Sequence, residues 1–219
     1  MSHDIIDVYD RSIFEMRNVF TAEECKLFID YHEQSPNKLG GRLQSGEKNV
    51  VKRSTDVQIT GAYKHDLDLI KIYKDGMEKV FAEYMKHLND INKSGELSSL
   101  FFGMLTAPQI QRTSKGDFFH WHSDTFKAMK PGGRGYEERL LAIIIYLNDI
   151  DEENGGSTEF NSGRKVQPET GKVLIFPTDL MYIHRGNTIL NGDSKYILSS
   201  FLLTTADEND DFPFPFVFA

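Results

Sequence analysis

Leu140-Leu-Ala-Ile-Ile-Ile-Tyr-Leu147 is the stretch of sequence that decides the fold, because it is apolar from end to end. A strand with one face in water alternates apolar and polar residues, so an unbroken apolar run indicates a strand covered on both faces. Turn residues separate this stretch from other short β-type segments. These segments span residues 101–106, 109–113, 118–122, 172–176 and 196–205. The C-terminal half of the chain is therefore predicted to form sheets.

Two helices are predicted ahead of these strands. Thr21 can cap the first helix, with Glu24 at the reciprocal position of a capping box. Cys25 and Phe28 then share its apolar face, so Cys25 is interpreted as a core residue rather than a reactive thiol. Apolar residues recur at helical spacing over residues 66–88, which predicts the second helix. Helices that lead into a run of strands favour a helical layer packed on a two-sheet barrel or jelly roll.

Length and composition predict one soluble domain over residues 1–219. It would comprise N-terminal helical support (about 1–97), a barrel core (about 98–205) and an aromatic, proline-containing tail (206–219) that packs on the barrel. The net charge of -8 argues against a nucleic-acid or anionic-membrane partner. The single cysteine excludes an internal disulfide, and no signal peptide or membrane-spanning run is evident, so a cytoplasmic location is expected.

The stretch Gly116-Asp-Phe-Phe-His-Trp-His-Ser-Asp124 contains the clearest chemistry. In an extended strand, residues two apart point to the same side, so His122 and Asp124 can present an imidazole and a carboxylate to one point. Two histidines and one carboxylate on one face of an iron(II) ion leave the other face open for a co-substrate and oxygen. His184 is the candidate third ligand, because it follows the apolar segment 172–176 and a sheet that closes on itself would return it to the pair.

His120 and Lys195 each have two interpretations. His120 shares the strand face of His122 and Asp124, so a zinc or other non-catalytic metal site is an open alternative. Three successive same-face residues span about 13 Å, however, which favours a place for His120 at the mouth of the pocket. Lys195 precedes a predicted strand. Its ammonium would either bind a buried carboxylate or lie at the strand end without a binding role.

With these residues in order, the sequence resembles the prolyl 4-hydroxylase branch of the 2-oxoglutarate and iron(II)-dependent dioxygenases. The resemblance covers residues 105–204 and rests on the order and spacing of several motifs together. The motifs are Gly116-Asp-Phe-Phe, His122-Ser-Asp124, Tyr146-Leu-Asn-Asp149, Gly155-Gly-Ser-Thr158, Pro168-x-x-Gly171, His184 and Lys195. It implies an α+β, mainly β fold: a double-stranded β-helix (jelly-roll) core with the N-terminal helices packed on one sheet.

The resemblance also implies roles for individual residues. His122, Asp124 and His184 would be the catalytic iron ligands, and Lys195 would pair with the distal carboxylate of 2-oxoglutarate. Tyr146 matches a position whose hydroxyl often supports that carboxylate, although a packing role is equally open. The family often has a tyrosine nine or ten residues before the first iron-binding histidine. Here Thr113 stands nine residues before it, and its shorter hydroxyl would take that part.

The implied activity is hydroxylation of an unactivated C–H bond, with Fe(II), 2-oxoglutarate and O2 as cofactor and co-substrates and ascorbate as a candidate reductant. The expected substrate is a prolyl residue in a peptide or protein. A free amino acid or other small molecule, and a non-catalytic metal-binding barrel, stay open as alternatives. Asp124 favours hydroxylation over halogenation, whereas Lys195 in place of an arginine and the absence of a basic groove argue against nucleic-acid demethylation.

Two loops carry positive charge in this acidic protein. The loop at residues 36–56 would be either a lid over the site or a solvated surface loop. The loop at residues 125–139 flanks the proposed metal and would be either a substrate rim or a solvated loop.

Overall fold

The computed structural model describes residues 11–40, 51–92, 102–129, 136–204 and 215–217, and the structural statements below concern these ranges. Two α-helices are present, α1 (Ala22–Gln34) and α2 (Lys64–Asn92). In chain order the strands are β1 (Phe14–Met16), β2 (Leu39–Gly40), β3 (Thr55–Gln58), β4 (Phe102–Leu105), β5 (Gln109–Thr113), β6 (Phe119–His122), β7 (Lys127–Met129), β8 (Tyr136–Tyr146), β9 (Thr158–Phe160), β10 (Lys165–Val166), β11 (Val173–Pro177), β12 (His184–Gly186), β13 (Lys195–Thr204) and β14 (Pro215–Val217). No described helix combines the length and hydropathy that crossing a membrane requires.

The strands form two antiparallel sheets. The larger sheet has the order β1-β11-β8-β13-β5-β3-β2, with β7 on β8 and with β4 and β14 beside β13. The smaller sheet has the order β10-β9-β12-β6. Aromatic and aliphatic side chains from both sheets, including Phe160 and Phe176, form a buried cluster between them. This arrangement confirms the predicted mainly-β, jelly-roll core.

Strand β8 is buried on both faces, as its apolar run predicts. Leu141, Ile143 and Ile145 join a core cluster that the two helices share. Ala142 and Tyr146 point the other way, into the cluster between the sheets. The alternation places the helices on the outer face of the larger sheet and leaves its inner face for the space between the sheets.

Helix α1 begins with the predicted capping box. The Thr21 hydroxyl accepts a hydrogen bond from the Glu24 backbone N–H at 3.2 Å, and the Glu24 carboxylate accepts one from the Thr21 backbone N–H at 2.9 Å. Cys25 is fully buried one residue later. Burial raises the pKa of its thiol to about 11, so it is a packed core residue without thiolate character.

The predicted boundaries differ from the observed ones by a few residues at the longer elements. The helix predicted over 66–88 extends to Lys64–Asn92, and the strand predicted from Leu140 begins at Tyr136. Five strands of two or three residues, β2, β7, β10, β12 and β14, were not predicted. Strands this short contain too few residues to show an alternating pattern.

Part of the aromatic tail lies on the barrel, because residues 215–217 pair with β4. The remainder of the tail lies outside the described residues. The same is true of residues 41–50 and 130–135, which hold much of the charge of the two predicted loops.

Gly76 provides a test of the packing between α2 and the chain that precedes α1. A Cβ built on Gly76 would overlap the ring of Phe20, and that ring is almost fully buried. Helix propensity alone favours alanine over glycine by about 1 kcal/mol. We nevertheless expect Gly76→Ala to lower the free energy of unfolding by about 1–3 kcal/mol, because overpacking outweighs propensity.

Denaturant-induced unfolding measures this change. The control is Lys79→Ala, which alters an exposed residue of the same helix and should change stability by less than about 0.5 kcal/mol. A Gly76→Ala protein more stable than the parent would show that the contact between Phe20 and α2 is not tight.

Candidate metal centre

The three predicted ligands converge at one end of the smaller sheet. His122 is the last residue of β6, His184 is the first residue of β12, and the two are register partners across this antiparallel pair. Asp124 lies in the irregular segment after β6, which corrects the prediction that it lies on the strand. Two residues along a strand are about 6–7 Å apart, so leaving the strand lets the carboxylate turn towards the histidines. The ligand atoms of all three residues lie within 4.8 Å of one another.

The segment around Asp124 is fixed by one backbone carbonyl. The hydroxyls of Ser123 and Thr125 both donate to the Thr178 carbonyl oxygen, at 3.1 and 2.7 Å. Thr178 directly follows β11, so residues on both sides of Asp124 are anchored to the larger sheet. The carboxylate is therefore held by residues outside the strand that carries His122.

Both histidines turn Nε2 towards the carboxylate of Asp124. His122 Nδ1 lies 2.8 Å from the His120 carbonyl oxygen, and His184 Nδ1 lies 3.0 Å from the Tyr182 carbonyl oxygen. A carbonyl oxygen can only accept, so each Nδ1 donates a proton to it, and in the neutral ring the lone pair is then on Nε2. These contacts fix the tautomer that metal ligation requires.

The distances and charges suit a shared cation. The Nε2 atoms of His122 and His184 lie 3.7 and 3.5 Å from the oxygens of Asp124. Both separations exceed ordinary hydrogen-bond lengths. Burial, with a smaller effect from neighbouring His184, lowers the pKa of His122 to about 4, so the ring is neutral at neutral pH. Two imidazoles and one carboxylate are a donor set that fits iron(II).

His120 does not join this cluster. Its ring is exposed and stacks on Phe118, with centroids 4.2 Å apart. Within the described ranges, the group of residues able to hold a metal is His122, Asp124 and His184. His120 contributes through its main chain, whose carbonyl oxygen orients the His122 ring.

The three ligands lie on the wall of a cavity of about 470 Å³ between the two sheets. Inward-facing residues of β5, β8 and β13 form much of the opposite wall, and aromatic residues near β6 form another part. Lys195 and Thr113 line the same cavity. The structure therefore brings the predicted metal ligands and the predicted anion-binding lysine into one space.

Lys195 is a buried cation. It is 5% exposed, and its ammonium donates a 2.8 Å hydrogen bond to the Gly156 carbonyl oxygen. No carboxylate among the described residues forms an ion pair with it. Burial, and to a lesser degree the positive charge of Lys52, lowers the pKa of Lys195 to about 8. A buried ammonium in this state would be stabilised by an incoming carboxylate.

Thr113 and Tyr146 have different positions relative to the cavity. Thr113 is the register partner of Lys195 on the adjacent strand and lines the cavity. Tyr146 is fully buried, and its hydroxyl donates to the Thr158 hydroxyl at 2.7 Å. Thr158 lines the cavity, whereas Tyr146 lies behind it. The Tyr146 hydroxyl is therefore one hydrogen bond away from the site rather than in direct contact with it.

Lys52 is a cavity residue that the sequence indicated only as one positive charge in a loop. It is 5% exposed, and its ammonium lies 2.8 Å from an Asp56 carboxylate oxygen. The other oxygen of Asp56 accepts a 2.7 Å hydrogen bond from the Ser54 hydroxyl. Lys52 therefore lies in the cavity wall already paired, unlike Lys195.

Arg139 was not predicted as a site residue, yet it also lines the cavity. Its guanidinium lies 3.6 Å from the centroid of the Phe201 ring and 3.5 Å from the Asp124 carbonyl oxygen. Burial lowers the pKa of Arg139. Nothing in the sequence around Arg139 distinguishes it from a surface cation.

Comparison with known proteins identifies an oxygenase segment in this chain. Residues 108–203 match the sequence model of the 2OG-Fe(II) oxygenase superfamily. This segment belongs to that superfamily. The oxygenase segment contains all three converging ligands together with Thr113, Tyr146 and Lys195. The protein is accordingly a 2-oxoglutarate-dependent dioxygenase that uses Fe(II). No curated protein matches its sequence.

Solved structures of prolyl hydroxylases share the fold of this dioxygenase. The viral collagen prolyl hydroxylase of Paramecium Bursaria Chlorella virus-1, solved with 2OG, has a TM-score of 0.63 and 15% identity over 89% of this chain and 97% of that one. A Trichoplax adhaerens prolyl hydroxylase, in complex with a hypoxia inducible factor peptide fragment, has a TM-score of 0.66 and 16% identity over 88% and 83%. A Pseudomonas putida prolyl-4-hydroxylase has a TM-score of 0.60 and 12% identity over 88% and 93%. These likenesses confirm the double-stranded β-helix fold.

The lowered pKa of Lys195 gives a pH-dependent expectation for co-substrate affinity. Lys195 is charged below a pH of about 8 and becomes neutral as the pH rises through that value. If its ammonium binds a carboxylate, the apparent KM for 2-oxoglutarate should rise about tenfold at one pH unit above this pKa. Initial rates of succinate formation across this pH range measure the effect.

The matched variant is Lys195→Arg, which keeps its charge throughout the range. The KM of this variant for 2-oxoglutarate should stay constant over the pH range in which the KM of the parent rises. Parallel KM profiles for the two proteins would mean that another group controls the pH dependence.

Proposed function

We propose that this dioxygenase hydroxylates a prolyl residue in a peptide or protein. In this proposal His122, Asp124 and His184 hold the iron, and Lys195 binds the distal carboxylate of 2-oxoglutarate. The observation that carries the proposal is that one cavity contains three converging metal donors and a buried ammonium without a carboxylate partner among the described residues. A divalent cation and a dicarboxylate together complement this pair of features.

The spacing of these features suits a five-carbon diacid. His184 and Gly186 both line the cavity, and they lie two residues apart on β12, which corresponds to about 6–7 Å. The Lys195 ammonium nitrogen lies 3.7 Å from the position that a Cβ on Gly186 would occupy. Because Gly186 has no side chain, space remains between the ammonium and the metal donors for the carbon chain of 2-oxoglutarate.

The chain's own residues bind and orient the reactants. When bound, iron and 2-oxoglutarate supply the oxidising chemistry, in which O2 converts 2-oxoglutarate to succinate and CO2 and one oxygen atom is inserted into a C–H bond. The backbone carbonyls at His120 and Tyr182 hold the planes of the two ligand imidazoles. Lys195 neutralises the distal carboxylate, and apolar side chains such as Ile144 and Ile197 limit water near the reacting carbon.

A prolyl substrate is supported by the shape of the cavity and by structural similarity. The inner faces of β8 and β13 present Ala142, Ile144 and Ile197, an apolar surface suited to a pyrrolidine ring. The Trichoplax adhaerens prolyl hydroxylase, which shares the fold, is itself in complex with a peptide fragment. Both observations favour a substrate that presents one apolar ring from an extended chain.

The test combines two products of the same reaction. We expect the protein, supplied with Fe(II) and 2-oxoglutarate, to release succinate and to form hydroxyproline in members of a panel of proline-containing peptides. Parallel assays without ascorbate test its expected role as reductant. His122→Ala should lower the formation of both products more than about a hundredfold. Loss of a metal ligand should lower activity more than loss of a residue that only hydrogen-bonds to a ligand.

His120→Ala is the matched control, because this nearby histidine lies outside the converging cluster. It should retain most of the activity. Equal loss in the two variants would overturn the ligand assignment. Succinate release by the parent without hydroxylation of any peptide would leave the dioxygenase in place and exclude the prolyl substrate.

A further inference from the structure

The cavity extends beyond the metal donors along a polar part of the larger sheet. Gln109, Gln111 and Thr113 alternate along β5, and all three side chains line the cavity. Gln109 is the register partner of Gln58 on one side and of Ser199 on the other, and both of these residues line the cavity as well. Uncharged amides and hydroxyls therefore cover three adjacent strands, beside the apolar inner face of β8 on the same sheet.

The two central glutamines are hydrogen-bonded to each other, which leaves the amide nitrogen of one and the side-chain oxygen of the other without a partner in the part of the chain that the structure describes. The Gln111 amide nitrogen donates to the Gln109 side-chain oxygen at 3.0 Å. The Gln109 amide nitrogen and the Gln111 side-chain oxygen have no protein hydrogen-bond partner among the described residues. Turning both amides by 180° reverses the internal bond and still leaves one donor and one acceptor.

A neutral donor beside a neutral acceptor is complementary to an amide group. A carboxylate would be repelled by the free side-chain oxygen, and a cation would face a competing N–H donor. A wholly apolar ligand would remove both groups from water without replacing their hydrogen bonds, which is unfavourable. Asp56, the register partner of Gln111, is already committed to Lys52 and Ser54, so it adds no free charge to this surface.

We propose that the Gln109–Gln111 pair binds an amide of the substrate, either a backbone peptide group or a side-chain carboxamide near the hydroxylated residue. The substrate carbonyl accepts from one glutamine while the substrate N–H donates to the other. This inference rests on the proposed function, since it requires a peptide whose target ring lies near the metal donors. It identifies a specificity determinant that is separate from co-substrate binding.

The variants Gln109→Met and Gln111→Met test the pair, because methionine keeps the length of glutamine and removes its hydrogen-bonding groups. For the best peptide of the proline-containing panel, we expect each change to raise KM about three- to tenfold, the effect of one net hydrogen bond. The KM for 2-oxoglutarate and the succinate released without peptide should stay at the parent values. Gln34→Met, at an exposed position at the end of α1, is the matched control.

Two modified peptides distinguish the sources of the amide. N-methylation of the peptide bond that follows the target proline removes a backbone donor, whereas exchange of a flanking Asn or Gln for Ala removes a carboxamide. If one of these modifications abolishes the difference in peptide KM between the parent and Gln111→Met, the group that it removes is the one bound by the glutamines.

An unchanged peptide KM in the double variant would overturn the inference, as would a rise confined to the KM for 2-oxoglutarate. Failure of the proposed function has a different signature, because the parent itself would then hydroxylate no peptide of the panel.

Discussion

The pairing of β6 with β12 is the constraint on which the site depends. It sets His122 directly opposite His184, although more than sixty residues separate the two in the sequence. The intervening chain includes Asp124 and strands β8 to β11. Neither strand is long enough to be stable alone, so the smaller sheet forms only by packing on the larger one. The buried aromatic contact between Phe160 and Phe176, with ring centroids 5.0 Å apart, is part of this packing. Metal ligation is in this way linked to the integrity of the whole barrel.

The cavity keeps positive charges in surroundings where charge is unfavourable. Lys52 is compensated by Asp56, whereas Lys195 has only a carbonyl partner and a lowered pKa. An ammonium buried without a counter-ion destabilises a fold, and a cavity residue of this kind is a candidate for a functional role. The proposed binding of 2-oxoglutarate would bring a carboxylate to this ammonium and supply the missing negative charge.

The sequence predicted the structure best where a pattern of residues has one clear physical cause. The apolar run of β8 indicated burial on both faces, and Thr21 with Glu24 indicated a capped helix; both predictions are confirmed. The family resemblance also gave the three residues that converge, because their types and order carry the chemistry. Strands of two or three residues were missed because they have too little sequence to show periodicity.

The details that the sequence does not determine depend on three-dimensional position rather than on residue type. Asp124 leaves the strand, and Tyr146 reaches the cavity only through Thr158. Lys52 and Arg139 look like surface cations in the sequence, since only the fold determines which long basic side chains turn inward. The same limit applies to Gln109 and Gln111, whose alternation is visible but whose hydrogen-bonding state is not.

Anaerobic titration with Fe(II), measured by calorimetry, tests most directly the claim that these residues bind iron, because it requires no knowledge of the substrate. The account predicts one ion bound per chain and loss of this binding in His184→Ala, with the far-ultraviolet circular dichroism of the parent retained. The His120→Ala protein should bind one ion like the parent. Unaltered Fe(II) binding by a folded His184→Ala protein would contradict the account, since the ion would then lie elsewhere.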